Sequence, residues 1–185
     1  VTCCIAHSHL SKARPGLSGI MTNILQKPIR RYADEYFACS KSAAKWIFSE
    51  DDIENGRVTI LKNGVQTELF SFDKLKSTEQ KKKFGLEGKL VIGNVARFFT
   101  QKNHTFLIDI FEQVHKKEPN SVLILIGTGE LVEPIRKKVC DRGLDKSVKF
   151  MGVRYDIPQL MQAMDVFVMP SLFEGLPVAG VEAQA

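Results

Sequence analysis

The sequence has no pair of cysteines at redox or metal-site spacing: Cys3 and Cys4 are adjacent, while Cys39 and Cys140 stand alone. This excludes a secreted disulfide framework and fits a reducing compartment. No run approaches the roughly 18 apolar residues of a membrane-spanning helix. Residues 1–7 lack the charged start of a signal peptide. Internal repeats and low-complexity stretches are missing too. With 44% apolar and 25% charged residues, the chain is no disordered tail, collagen-like repeat or disulfide miniprotein. The net charge of +5 is spread along the chain, and its only dense run is Lys81-Lys82-Lys83. Nucleic-acid binders gather cations on one stripe with aromatics between them, so no nucleic-acid partner is expected.

What is present is an alternation of short apolar runs with longer stretches of helical period. Strands are predicted over 1–6, 35–39, 58–61, 90–96, 122–126, 148–151 and 166–169. Helices are predicted over 19–33 (interrupted at Pro28), 41–48, 105–117, 131–140 and 157–164, and from Val178 onward. Asn63-Gly64 reads as a turn closing the strand before it. Residues 65–76 show no clear period and read as a linker. Ser77-x-x-Gln80 reads as a capping box that opens a short helix ending near Phe84. The runs VLILI and VFVM lack polar alternation, as parallel strands covered by helices on both faces do. The expected fold is therefore α/β, doubly wound, with parallel sheets. The chain begins without Met, and Gly180–Ala185 end inside a predicted helix. The two series join near residue 70, and the expectation is parts of two layered domains of a longer protein.

Open parallel sheets bind ligands beyond the carboxyl ends of their strands. In the second series those ends carry Arg97 and Lys102, then Gly127-Thr128-Gly129-Glu130, then Gly152-Val153-Arg154, then Ser171 with Glu174-Gly175-Leu176-Pro177. Arg97 directly follows a buried strand, where an unpaired guanidinium is costly, so it is expected to meet an anion. GTGE lacks the third glycine of a dinucleotide fingerprint and reads equally well as a tight turn. Asp156 reads as a helix cap. Glu174 and Glu182 bracket seven residues. Gly175 allows close backbone approach, and Pro177 suits the first position of a helix whose free N–H groups favour phosphate. The two carboxylates would hold different parts of one elongated ligand.

The stretches GNVARFFTQKNH, ILIGTGEL, VKFMGVRYDIP and DVFVMPSLFEGLPVAGVEAQA resemble the donor domain of the family 4 glycosyltransferases, of GT-B fold. AHSHLS, ACSKSAAKWIF and VTILKNGV resemble the later half of that family's acceptor-side domain. AHSH with EGLPVAGVEAQA looks most like bacterial enzymes of capsular or exopolysaccharide assembly. The resemblance implies two Rossmann-like domains: the later part of the acceptor-side domain over 1–72 and the front of the donor domain over 73–185. It also implies transfer of a hexose or N-acetylhexosamine, with retention, from a nucleotide diphosphate sugar, chiefly a UDP-sugar, to a lipid-linked or glycan acceptor. By the same resemblance Arg97 and Lys102 clamp the diphosphate, and main-chain groups at Val153 meet the base. Glu182 accepts from the ribose hydroxyls. Glu174 lies near the donor sugar, with Gly175 and Leu176 offering N–H groups to sugar and phosphate. His9 matches the histidine that faces the donor sugar. No cofactor and no metal are implied, in keeping with the lack of a D-x-D pair. The implied location is cytoplasmic, peripheral on the inner membrane face. Three rivals stand beside this reading: an inactive nucleotide-binding module, a nucleotide-sugar epimerase, and a zinc hydrolase using His7 and His9 with Cys3 or Cys4.

Overall fold

The structure is a computed structural model and describes residues 3–11, 21, 24–26 and 28–185. Parts of the strand expected over 1–6 and of the helix expected over 19–33 lie outside the described residues. The chain divides into two compact units, Val1–Val65 with Phe173–Val178, and Gln66–Leu172 with Ala179–Ala185.

The first unit holds a three-stranded parallel sheet in the order β1 (Ile5–Ser8), β2 (Glu35–Ala38), β3 (Val58–Ile60). Helices bounded among the described residues are α1 (Ile29–Tyr32), α2 (Lys41–Ile47) and α3 (Glu50–Glu54). Ser40 caps α2 by accepting from the Ala43 N–H. Ser49 and Asp52 form a capping box on α3, a short acidic helix absent from the sequence expectation. Ala38, Cys39, Ala43, Ala44, Phe48 and Val58 make the core, with Leu176 packed against it.

The second unit opens with α4 (Thr67–Phe70) and α5 (Lys74–Lys83), so residues 65–76 are not a structureless linker. Gln162 ties this stretch down: its amide donates to Ser71 O (2.8 Å) and its Oε1 accepts from Asp73 N (3.0 Å). That is why the division falls at Val65/Gln66 rather than near residue 72. Helix α5 starts earlier than expected. Asp73 is its cap, accepting from Leu75 N and Lys76 N, and Ser77 lies inside the helix.

Then come β4 (Leu90–Val95), α6 (His104–Lys117), β5 (Ser121–Ile126), α7 (Val132–Asp141), β6 (Val148–Gly152), α8 (Ile157–Gln162), β7 (Val166–Phe167) and α9 (Val178–Glu182). The sheet is parallel, in the order β6-β5-β4-β7. Every residue of β5 is buried, as an unbroken apolar strand in mid-sheet must be. The other apolar run, VFVM, behaves differently. Strand β7 pairs only with β4 among the described strands, and Val166 remains 45% exposed. The core gathers Phe98, Leu107, Ile108, Phe111, Leu123, Leu125 and Ile135 on one side of the sheet. A second cluster of Leu86, Val91, Val122, Ile124 and Ala163 lines the other. Successive strands run outward from β4 through β5 to β6, and the chain then returns to the opposite side of β4 for β7. The order thus reverses between β4 and β7, and ligands of open α/β sheets sit outside the carboxyl ends at such a reversal. Among the described residues no helix is long and apolar enough to cross a membrane.

Candidate functional site

In the second unit the site is built around the exit of β4. Ala96 N extends the sheet by donating to Ile126 O (3.0 Å). Phe98 then makes two backbone bonds to the loop after β5, donating to Thr128 O (2.9 Å) and accepting from Leu131 N (3.0 Å). GTGE is therefore a clamp on the β4 exit, and its glycines are sterically required. A Cβ on Gly127 would overlap the Ala96 carbonyl, and one on Gly129 would lie 2.6 Å from Phe98 O. Both also hold positive φ, 134° and 155°.

This clamp presents Arg97 to solvent. Although it directly follows a buried strand, Arg97 is itself exposed, and it forms no ion pair with a side chain among the described residues. Its carbonyl accepts from Phe99 N (2.8 Å), which fixes the turn into the 3-10 helix Thr100–Lys102. Lys102 ends that helix half-buried, and Asn103 follows in the left-handed region (φ 53°) to start α6. His104, the first residue of α6, is buried with its ring stacked on Phe98. Burial, with Lys102 second, pushes its pKa down to about 4.

Val153 lies just beyond β6 and is exposed. Asp156 stands at the start of α8 without capping it by its side chain. Its carboxylate is instead held bidentately by Arg154, at 2.8 and 2.6 Å. The Arg154 bond is the main cause of its pKa lying below the usual carboxylate range. Glu182 is the last residue of α9, more than a turn in, and burial raises its pKa. It lines a hollow with Phe70, Phe72, Met164, Asp165 and Phe167. Asp165 marks the amino end of β7, where it accepts from Val91 N (2.8 Å) and pairs with Lys81 (2.6 Å).

In the first unit the exits of all three strands meet the segment Glu174–Leu176. Ser11 Oγ donates to Glu174 O (2.6 Å), and Asn63 Nδ2 donates to Leu176 O (2.8 Å). A Cβ on Gly175 would overlap the His9 carbonyl and lie 3.1 Å from Cys39 Sγ. Asn63-Gly64 is therefore an anchoring point rather than a tight turn. The same contacts place residues 173–178 in the first unit, although they follow the second in sequence. His7 and His9 share one side of the β1 end, with ring centroids 4.1 Å apart, and both are exposed. Among the described residues no group of three or more His, Cys, Asp or Glu is placed to hold a metal ion. The zinc reading of His7 and His9 therefore finds no third ligand among the described residues.

Sequence reasoning missed three residues of this neighbourhood: Asn94, Asn103 and His104. A signal was available for the first, since Asn94 is a polar residue inside the apolar run LVIGNVA and is 1% exposed. His104 was readable only as a helix residue.

Known proteins share this architecture. EpsF of Bacillus subtilis (strain 168) is 35% identical over 185 residues, 98% of this chain and 48% of its own length. The UDP-Gal:alpha-D-GlcNAc-diphosphoundecaprenol alpha-1,3-galactosyltransferase of Escherichia coli is 34% identical over 133 residues, 70% of this chain and 34% of its own. Anabaena Alr3699/HepE, solved in complex with UDP-glucose, matches with a TM-score of 0.82 at 25% identity, over 97% of this chain and 50% of that one. The chain thus spans half or less of the length of these relatives. The fold is that of GT-B glycosyltransferases, with parallel Rossmann-like sheets. The profile of the glycosyl transferases group 1 matches residues 76–185, from α5 through α9, and the chain belongs to that family.

Proposed function

We propose that the protein transfers a hexose or N-acetylhexosamine from a nucleotide diphosphate sugar, with UDP as the nucleotide, to a lipid-linked or glycan acceptor in polysaccharide assembly. The transfer retains anomeric configuration, as in family 4. The observation that carries this reading is Arg97, an exposed cation fixed by a backbone clamp at the strand-order reversal. Two relatives support the choice of donor and acceptor. HepE binds UDP-glucose, and the Escherichia coli enzyme acts on a sugar carried by diphosphoundecaprenol. A lipid-borne acceptor brings the protein to the inner membrane face.

Departure of the nucleotide leaves negative charge on its β-phosphate. Fixed cations aimed at that charge stabilise the transition state, and removing one such donor costs about 2.7–4 kcal/mol of barrier. Arg97 supplies a planar fork for phosphate oxygens and Lys102 a compact charge. These take the part a divalent metal plays elsewhere, so activity should survive a chelator. Main-chain groups at Val153 meet the base. The role of Glu182 at the ribose rests on its E-x7-E setting. Glu174 steadies positive charge developing on the sugar, as carboxylates do in glycoside chemistry. Gly175 and Leu176 offer N–H groups, and His9 faces the donor sugar.

Unfolding with and without UDP, alongside calorimetric titration, tests the reading. At 100 times its dissociation constant, UDP should stabilise the protein by about 2.7 kcal/mol. Arg97→Ala and Lys102→Ala should abolish most of that shift, and His9→Ala should preserve it. Because Arg97 is exposed, Arg97→Ala should change stability without ligand by less than about 0.5 kcal/mol. UDP release from UDP-glucose or UDP-galactose should require an added sugar-diphospholipid. Binding indifferent to both cations would sink the site. Turnover without acceptor would favour epimerisation instead.

A further inference from the structure

We propose that Asn94 and Asn103 are positioning residues that strap the segment after β7 onto the loop bearing Arg97 and Lys102. This rests on the donor-phosphate reading of that loop.

The β4–β7 ladder is short, with only Ile92↔Val166 and Gly93↔Phe167 in register. Val168 N still reaches Gly93 O (2.9 Å), and there the ordinary pairing ends. Side chains take over from this point. Asn94 Nδ2 donates to Val168 O (2.7 Å), and Asn103 Nδ2 donates to Pro170 O (3.3 Å). Leu172 N then donates to Gln101 O (2.8 Å). Every second residue of 168–172 is thus tied to the stretch running from the end of β4 to the start of α6. The partners Asn94, Gln101 and Asn103 bracket Arg97 and Lys102 in sequence.

A second observation separates this strap from ordinary packing. Asn94 Oδ1, Ser171 Oγ and both ring nitrogens of His104 are buried without a hydrogen-bond partner among the described residues. Leaving buried polar atoms unpaired costs about 1–3 kcal/mol each, and apolar side chains would avoid that cost. A polar set kept at that expense, beside a phosphate-binding loop at the strand-order reversal, answers to a positional requirement. The requirement is that the β4 exit and the β7 exit hold still as one piece when the diphosphate arrives. Asn103 serves twice, since its φ of 53° is also the turn that delivers Lys102 to the start of α6.

Asn103→Gly isolates the strap, because glycine keeps the left-handed turn and removes only the amide. Asn94→Ala removes the other tie. Hydrogen exchange and UDP titration on the same proteins give separate readouts. In Asn103→Gly the amides of 97–104 and 168–172 should exchange faster. Those of α7 and the thermal midpoint should stay near wild type, while UDP binds about two- to tenfold more weakly. A residue of merely structural weight would lose stability and binding together. Unchanged exchange in 168–172 in both variants overturns the strap. Faster exchange with wild-type UDP affinity overturns the positioning role. Wild-type protein that fails to bind UDP overturns the donor reading and the positioning role with it, and the exchange data alone then judge the strap.

Discussion

Phe98 lies flat against His104, with ring centroids 4.0 Å apart and planes 10° from parallel. Phe98 follows Arg97 directly, and His104 comes two residues after Lys102. The stack therefore closes the base of the loop that carries both cations. Both rings are 1% exposed.

This burial makes a pH prediction with a definite sign. The folded protein holds His104 neutral down to about pH 4, whereas the unfolded chain protonates it near 6.5. Between those values the unfolded state binds more protons, so stability rises with pH and is lost as pH falls from 6.5 toward 4. The full loss is on the order of 3 kcal/mol. His104→Phe keeps the stack and removes the titration. Urea unfolding at pH 7 and pH 5 should show wild type losing stability that the variant keeps. Parallel losses in the two proteins would place the acid sensitivity elsewhere.

The clamp after β5 makes a steric prediction. Gly129→Ala puts a methyl group 2.6 Å from Phe98 O, and that oxygen already accepts from Leu131 N. Relief requires the β4 exit and the β5 loop to part, breaking bonds that hold Arg97 in place. A φ of 155° adds strain for any residue with a side chain, worth about 1–3 kcal/mol. The variant should unfold at lower urea and bind UDP more weakly than that stability loss explains. Normal UDP affinity would show that the clamp does not set the cation.

The strands and most helices were legible because their signal is local. Strand β5 is an apolar run, and α6 spaces Leu107, Ile108 and Phe111 along one face. Helix α3 was not legible, since EDDIE has no apolar period and depends on the Ser49–Asp52 box. The start of α5 was misplaced because Ser77 and Asp73 both resemble caps, and only contacts with Gln162 favour Asp73. At the site, strand ends identified Arg97 and Lys102 as candidates. What holds them there lay out of reach. The Gly129 approach to Phe98 and the Asn94 bond to Val168 join residues far apart in sequence. The same is true of Glu174–Leu176, whose grouping with the first unit depends on Ser11, Asn63 and the backbone of His9.

That last grouping yields the third prediction. Gly175 sits against the carbonyl of His9, and Cys39 Sγ would lie 3.1 Å from any Cβ placed there. Gly175→Ala must push the segment off the β1 end, because a backbone carbonyl cannot swing aside as a flexible side chain can. Asn63→Ala releases the same segment more gently, removing one hydrogen bond to Leu176 O worth about 0.5–1.5 kcal/mol. If Glu174 and the N–H groups beside it act on the donor sugar, both variants should lower kcat for sugar transfer, with Gly175→Ala the more severe. If Arg97 and Lys102 carry most of the diphosphate binding and Gly175 and Leu176 only part of it, the Kd for UDP alone should rise by a smaller factor than kcat falls. Wild-type kcat in both variants would remove this segment from the site.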